Sequence, residues 1–115
     1  AQNLSADEFD ITASNIKIHK DSEKILAEGN VLIISQDGIT IESEIATYDK
    51  KENIIDAKDS VKIIDTKTKD QFTSDKIQYF KNKEEKFLKV FHLNGIKLKL
   101  GGFHLILEKI NGELE

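Results

Sequence analysis

The stretch from residue 27 to residue 49 decides the fold: Ala27-Glu28-Gly29-Asn30-Val31-Leu32-Ile33-Ile34-Ser35-Gln36-Asp37-Gly38-Ile39-Thr40-Ile41-Glu42-Ser43-Glu44-Ile45-Ala46-Thr47-Tyr48-Asp49. Two β-branched runs flank Asp37-Gly38, the strongest short-range signal for a β-hairpin. Its register is open at this level. A two-residue loop groups Leu32, Ile34, Ile39 and Ile41 on one face. A three-residue loop, Gln36-Asp37-Gly38 with Gly38 left-handed, groups Val31, Ile33, Ile39 and Ile41 instead. Both faces of residues 31–34 are apolar, so the pattern does not choose, and a slip of one residue exchanges the faces.

Working outward, the same signal recurs at Asn94-Gly95, Gly101-Gly102 and Asn111-Gly112, each beside β-branched or alternating apolar residues. Four hairpins in a small domain predict an antiparallel sheet. At Gly101-Gly102, a two-residue loop pairs Leu100 with Phe103, Leu98 with Leu105 and Ile96 with Leu107, giving one dry face; Phe91 and Leu93 join it if Asn94-Gly95 is the preceding turn. Residues 77–91 carry a competing pattern, because Ile77, Phe80, Phe87, Leu88 and Phe91 also fit a helical stripe among good helix formers.

A repeat near 30 residues is also visible. Ser14-Asn15-Ile16-Lys17-Ile18-His19, Ser43-Glu44-Ile45-Ala46-Thr47-Tyr48 and Ser74-Asp75-Lys76-Ile77-Gln78-Tyr79 each precede a charged turn. The first two continue as Ala27-Glu28-Gly29-Asn30-Val31 and Ala57-Lys58-Asp59-Ser60-Val61. Such a period predicts stacked hairpin units sharing one core, since no single unit buries its apolar face alone. The third copy favours strand over helix at residues 74–79.

Composition narrows the functional classes. The chain has 115 residues, 33% charged and 38% hydrophobic, enough for one domain (1–115) with a solvated surface. No apolar run reaches the roughly 18 residues of a membrane-spanning helix. All seventeen basic residues are lysines and the net charge is −4, which argues against a nucleic-acid partner. Cysteine is absent, excluding disulfides and thiolate metal sites. The chain opens at Ala1-Gln2 rather than Met, as a chain freed of a signal peptide would.

Catalytic and metal signals are weak. His19, His92 and His104 are scattered and lack a ligand-rich local motif. The acid pairs Asp7-Glu8 and Glu84-Glu85 read as solvated groups in charged turns or near termini. No nucleophile motif, phosphate loop or calcium loop is present, so the reading is not an enzyme, with no cofactor and no metal site.

The runs Ala27-Glu28-Gly29-Asn30-Val31, residues 37–49, Ala57-Lys58-Asp59-Ser60-Val61 and Phe72-Thr73-Ser74-Asp75-Lys76-Ile77-Gln78-Tyr79 resemble the OstA-like family of lipopolysaccharide-transport domains, which includes LptA and the N-terminal domain of LptD. The resemblance covers roughly residues 11–87. It implies an antiparallel β-jellyroll, a taco-like open shell of stacked hairpins whose edge strands let copies and related jellyroll components stack head to tail. It implies a periplasmic, Gram-negative setting and a lumen that shields the acyl chains of lipid A during outer-membrane assembly. It favours the three-residue loop, with Val31, Ile33, Ile39 and Ile41 inward, and extends a lumen role to Ile16, Ile18, Ile45, Val61, Ile63 and Ile77. Tyr48 and Tyr79 fall in the lumen or at its rim. Asp59-Ser60 departs from the Gly-Asn pair of the first unit, and residues 88–115 match poorly. The chain also stops three residues after Asn111-Gly112, where a partner strand is due, which reads as a domain truncated at its C-terminus. The alternative is a structural domain that pairs sheet edges with a partner and holds no lipid.

Overall fold

The computed structural model describes residues 1–82, 85–91 and 103–108, with side-chain surroundings through residue 80. The described residues are all-β and contain no helix. They form β1 (Gln2–Ala6), β2 (Phe9–Ala13), β3 (Asn15–His19), β4 (Lys24–Ser35), β5 (Ile39–Asp49), β6 (Ile54–Asp65), β7 (Gln71–Asn82), β8 (Glu85–Phe91) and β9 (Phe103–Glu108). These lie in one open sheet ordered β1-β2-β4-β5-β6-β7-β8-β9, with β3 pairing the other half of β4. All described pairings are antiparallel except β8 with β9, which run parallel. The helical stripe over 77–91 is overturned: β7 and β8 form a hairpin in which Tyr79 lies opposite Leu88. Cross-strand pairing at the end of an existing sheet overrides the helix propensity of the lysines and glutamates. The turns at Asn94-Gly95 and Asn111-Gly112, and the hairpin closed by Gly101-Gly102, lie outside the described residues.

The open register at Asp37-Gly38 resolves to the three-residue loop. Ile34 lies opposite Thr40 and Ile33 opposite Ile41. The Gly38 amide donates to the Ser35 carbonyl at 3.1 Å, and the Ile39 amide donates to Ser35 Oγ, also at 3.1 Å. Gly38 has φ +90°, a conformation that glycine adopts without a Cβ penalty. Its carbonyl accepts from the Thr66 amide at 2.9 Å and the Thr66 hydroxyl at 2.6 Å, tying this hairpin to the next turn.

A crease crosses the long strands at mid-length. Register shifts fall between Glu28 and Val31, between Glu42 and Ile45, and between Lys58 and Val61. On β4 the extra residues are Gly29 and Asn30; on β6 they are Asp59 and Ser60, and all four have positive φ. The Asp59-Ser60 departure from the repeat therefore preserves the backbone geometry of Gly29-Asn30. The serines that open each repeat copy mark the same line. Ser14 sits at the break between β2 and β3 and donates its amide to the Gly29 carbonyl at 2.8 Å. Ser43 and Ser74 are buried and donate their hydroxyls to the carbonyls two residues on, those of Ile45 and Lys76. Such local side-chain bonds occupy backbone groups that the bulge removes from the ladder.

The crease doubles the sheet back on itself. Phe9 lies opposite Ser35, and Tyr48 lies opposite Ile25. Ser35 and Ile25 stand ten residues apart on β4, about 33 Å if the strand were straight. The Phe9 and Tyr48 rings nonetheless meet edge to face at 5.1 Å between centroids. The two leaves of the sheet thus face each other across the apolar interior.

Candidate functional site

Register places the interior side chains in rows that cross the strands. On one leaf Ile11, Ile33, Ile41, Ile63 and Phe72 lie opposite one another in turn from β2 to β7. On the other leaf one row runs Ile16, Ala27, Ala46, Ala57 and Ile77, and the next runs Ile18, Ile25, Tyr48, Ile55 and Tyr79. Directly paired antiparallel residues share a face, so each row is a strip of one continuous dry surface. The three alanines lie just beyond the crease, where small side chains let the leaves approach.

The side chains expected in a lumen divide into three groups. Val31, Ile33, Ile39, Ile41, Val61, Ile63, Ile77 and Tyr79 are all buried on the interior face. Ile16 and Ile18 share that face, through Ala27 and Ile25, but β3 pairs only with β4, and its far side meets just the start of β1, where Gln2 Oε1 accepts from the Ile16 amide. Ile16 is therefore only half-buried and Ile18 is 55% exposed, which corrects the expectation of enclosed positions. Ile45 is the third case. The shift between Glu42 and Ile45 changes the alternation of β5, so Ala46 and Tyr48 point inward and Ile45 points out beside Leu26 and Lys58. Its inward assignment is wrong for that reason.

Sequence reasoning missed Phe9, Ile11, Ile25, Ile55, Phe72 and the three alanines, all buried in the same core. Alternation in Phe9-Asp10-Ile11-Thr12 carried a signal for the first two. Alanine carries almost none, because its small area fits either face.

One end of the interior carries a polar clasp. The Tyr48 hydroxyl donates to Asp7 Oδ2 at 2.8 Å and lies 2.9 Å from Asn53 Oδ1. Asp7, expected to be merely solvated, thus engages a buried ring, although its own residue is exposed. Asp7 and Asn53 occupy turn tips with φ 53° and 58°. Phe9 stands edge to face with both Tyr48 and Tyr79, at 5.1 and 6.3 Å. Burial, then the bond to Asp7, then the charges of Asp7, Glu8 and Asp49 push the Tyr48 phenol well above its ordinary range. Burial is also the main cause for Tyr79, followed by the charges of Glu8, Asp37 and Asp65. Both phenols stay neutral in the folded protein at any ordinary pH.

Other polar groups serve the scaffold. The Asp65 carboxylate is buried and accepts from the Lys67 and Thr68 amides at 2.9 and 3.2 Å, ordering the β6–β7 turn. Among the described residues, no group of three or more His, Cys, Asp or Glu could hold a metal ion, and no helix is long and apolar enough to cross a membrane. What the interior offers chemically is apolar surface, with phenolic groups at one end. Compared with known proteins, the chain matches no family model, no curated protein and no solved structure.

Proposed function

We propose that this domain is a periplasmic lipopolysaccharide-binding module of a transport bridge, a jellyroll of the OstA-like kind that shields lipid A acyl chains between the leaves of its sheet. The observation that carries this reading is the row Ile11, Ile33, Ile41, Ile63 and Phe72, buried and in register across five strands of an open sheet. Each acyl methylene moved from water against such a surface contributes about 0.8 kcal/mol, so a passive path needs no catalysis. The outer edge of β1, at one end of the strand order, suits strand addition by related jellyroll domains or a second copy, head to tail.

One observation favours a second reading. The interior side chains already pack against one another, with Ile63 at 0% exposure, as in a filled core. Under that reading the domain acts only by pairing its edges with a partner. A photo-crosslinker at Ile41, compared with the outward position Glu42, separates the two. Lipopolysaccharide adducts at 41 and not at 42, in folded protein, support the lipid path; none at any inward position moves the assignment to edge pairing.

A further inference from the structure

The β1–β2 hairpin is attached to the two leaves in different ways. To its own leaf it is joined by the backbone ladder of Phe9 to Thr12 against Ser35 to Leu32. The Gln36 amide, donated to the Glu8 carbonyl at 3.1 Å, adds to that attachment. To the opposite leaf it is joined through side chains: Asp7 on the Tyr48 hydroxyl, Gln2 Oε1 accepting from the Ile16 amide, and the Phe9 ring against Tyr48 and Tyr79. The hairpin ends at Ser14, a break between strands where the chain crosses to β3. Asp7 and Asn53 both hold left-handed backbone, a conformation that non-glycine residues keep when surrounding contacts impose it.

We infer that the β1–β2 hairpin is a strap that closes this mouth of the interior, and that its release from Tyr48, pivoting at Ser14, admits an acyl chain between the leaves. The inference rests on the lipid-shielding reading and adds its regulation: the clasp of Asp7, Tyr48 and Asn53 sets how often the mouth opens. Separating the strap breaks the Asp7–Tyr48 and Gln2–Ile16 bonds, the two ring contacts and the ladder of Phe9 to Thr12 on β4, but leaves the β4–β5–β6–β7 ladders intact. Phe9 then swings away from the position an entering chain needs, and Tyr48 and Tyr79 line the entrance.

The chain has no cysteine, so Asp7→Cys with Asn53→Cys supplies a unique thiol pair on either side of one hydroxyl. A short bis-maleimide bridges the thiols and holds the strap shut, while N-ethylmaleimide caps them and leaves it without its clasp. Labelled lipopolysaccharide is the probe, and amide hydrogen exchange of residues 9–12 is the ligand-free readout. The strap predicts that capped protein exchanges these amides at least tenfold faster than bridged protein while β5 and β6 stay protected. It also predicts that bridging slows lipopolysaccharide capture at least tenfold, and that Tyr48→Phe speeds capture over the parent. Equal capture by bridged and capped protein overturns the strap and leaves the lipid reading standing. Capture by no folded variant overturns both, and unchanged exchange in the capped form overturns the strap without reference to lipid.

Discussion

Replacing Gly29 by alanine tests the crease on which the folded sheet depends. Gly29 has φ +83°, and a Cβ there would sit 2.9 Å from both Cβ and Oγ of Ser14. Ser14 cannot easily retreat, because its amide is held by the Gly29 carbonyl at 2.8 Å. A left-handed alanine costs about 1 kcal/mol, and overpacking against an anchored neighbour costs about 1–3 kcal/mol. Reduced freedom of the unfolded chain returns roughly 0.5 kcal/mol, leaving a net loss near 1.5–3.5 kcal/mol. For a domain of this size each kcal/mol lowers Tm by about 4 °C, so a drop of roughly 6–14 °C is expected. Chemical and thermal unfolding followed by circular dichroism measure it, with an unchanged denaturant slope showing that the two end states are the same. Adding Ser14→Gly removes both clashing atoms and should recover the overpacking part while leaving the backbone part. Ser60→Gly, at φ 56° in the matching bulge, should be neutral or stabilising by up to about 1 kcal/mol. A Gly29→Ala protein within about 0.5 kcal/mol of the parent, or a Ser14→Gly change that recovers nothing, would refute the close approach at the crease.

Three further outcomes follow from the interior. Ile63→Ala, on the buried face, should lose about 2–5 kcal/mol, whereas Ile64→Ala on the outer face should lose under about 1 kcal/mol in the same unfolding assay. Ala46→Lys should unfold the domain and Ile45→Lys should be tolerated; the reverse order would place the β5 bulge wrongly. Tyr48 and Tyr79 have raised phenol pKa values in the folded state, while unfolded tyrosine ionises near 10. Their contribution is therefore fully present below about pH 10 and is lost as pH rises from there, because the unfolded state releases its protons first. The urea midpoint should fall between pH 9 and 11, with a shallower fall in Tyr48→Phe.

Much of the architecture was legible because it is written in short-range signals. Asp37-Gly38 announced its hairpin, and the alternation of Val31, Ile33, Ile39 and Ile41 identified an apolar face once the loop length was known. That length was not legible, since residues 31–34 are apolar on both sides; it is set by Ser35 and Gly38 bonding within the turn. Ile45 failed because a bulge changes parity without changing composition. Repeat alignment put it beside Ile16, yet in β5 the inward residue is Ala46. Ile16 and Ile18 failed differently: their face was right, but coverage depends on neighbours that no local pattern encodes. The clasp was invisible, because Asp7 and Tyr48 are 41 residues apart and meet only after the sheet folds. The repeat serines, by contrast, were visible as a motif, and the structure explains them as markers of the crease.

The proposed function requires that acyl chains enter the dry interior. Isoleucine methyl NMR on folded protein titrated with a soluble lipid A analogue tests this directly, because the chain carries isoleucines on both faces of the sheet. Intermolecular contacts are expected between acyl protons and the methyls of Ile33, Ile41 and Ile63, with none at the outward Ile34, Ile45 and Ile64. Contacts confined to the outward methyls, or none at all at saturating analogue, would contradict the proposed function.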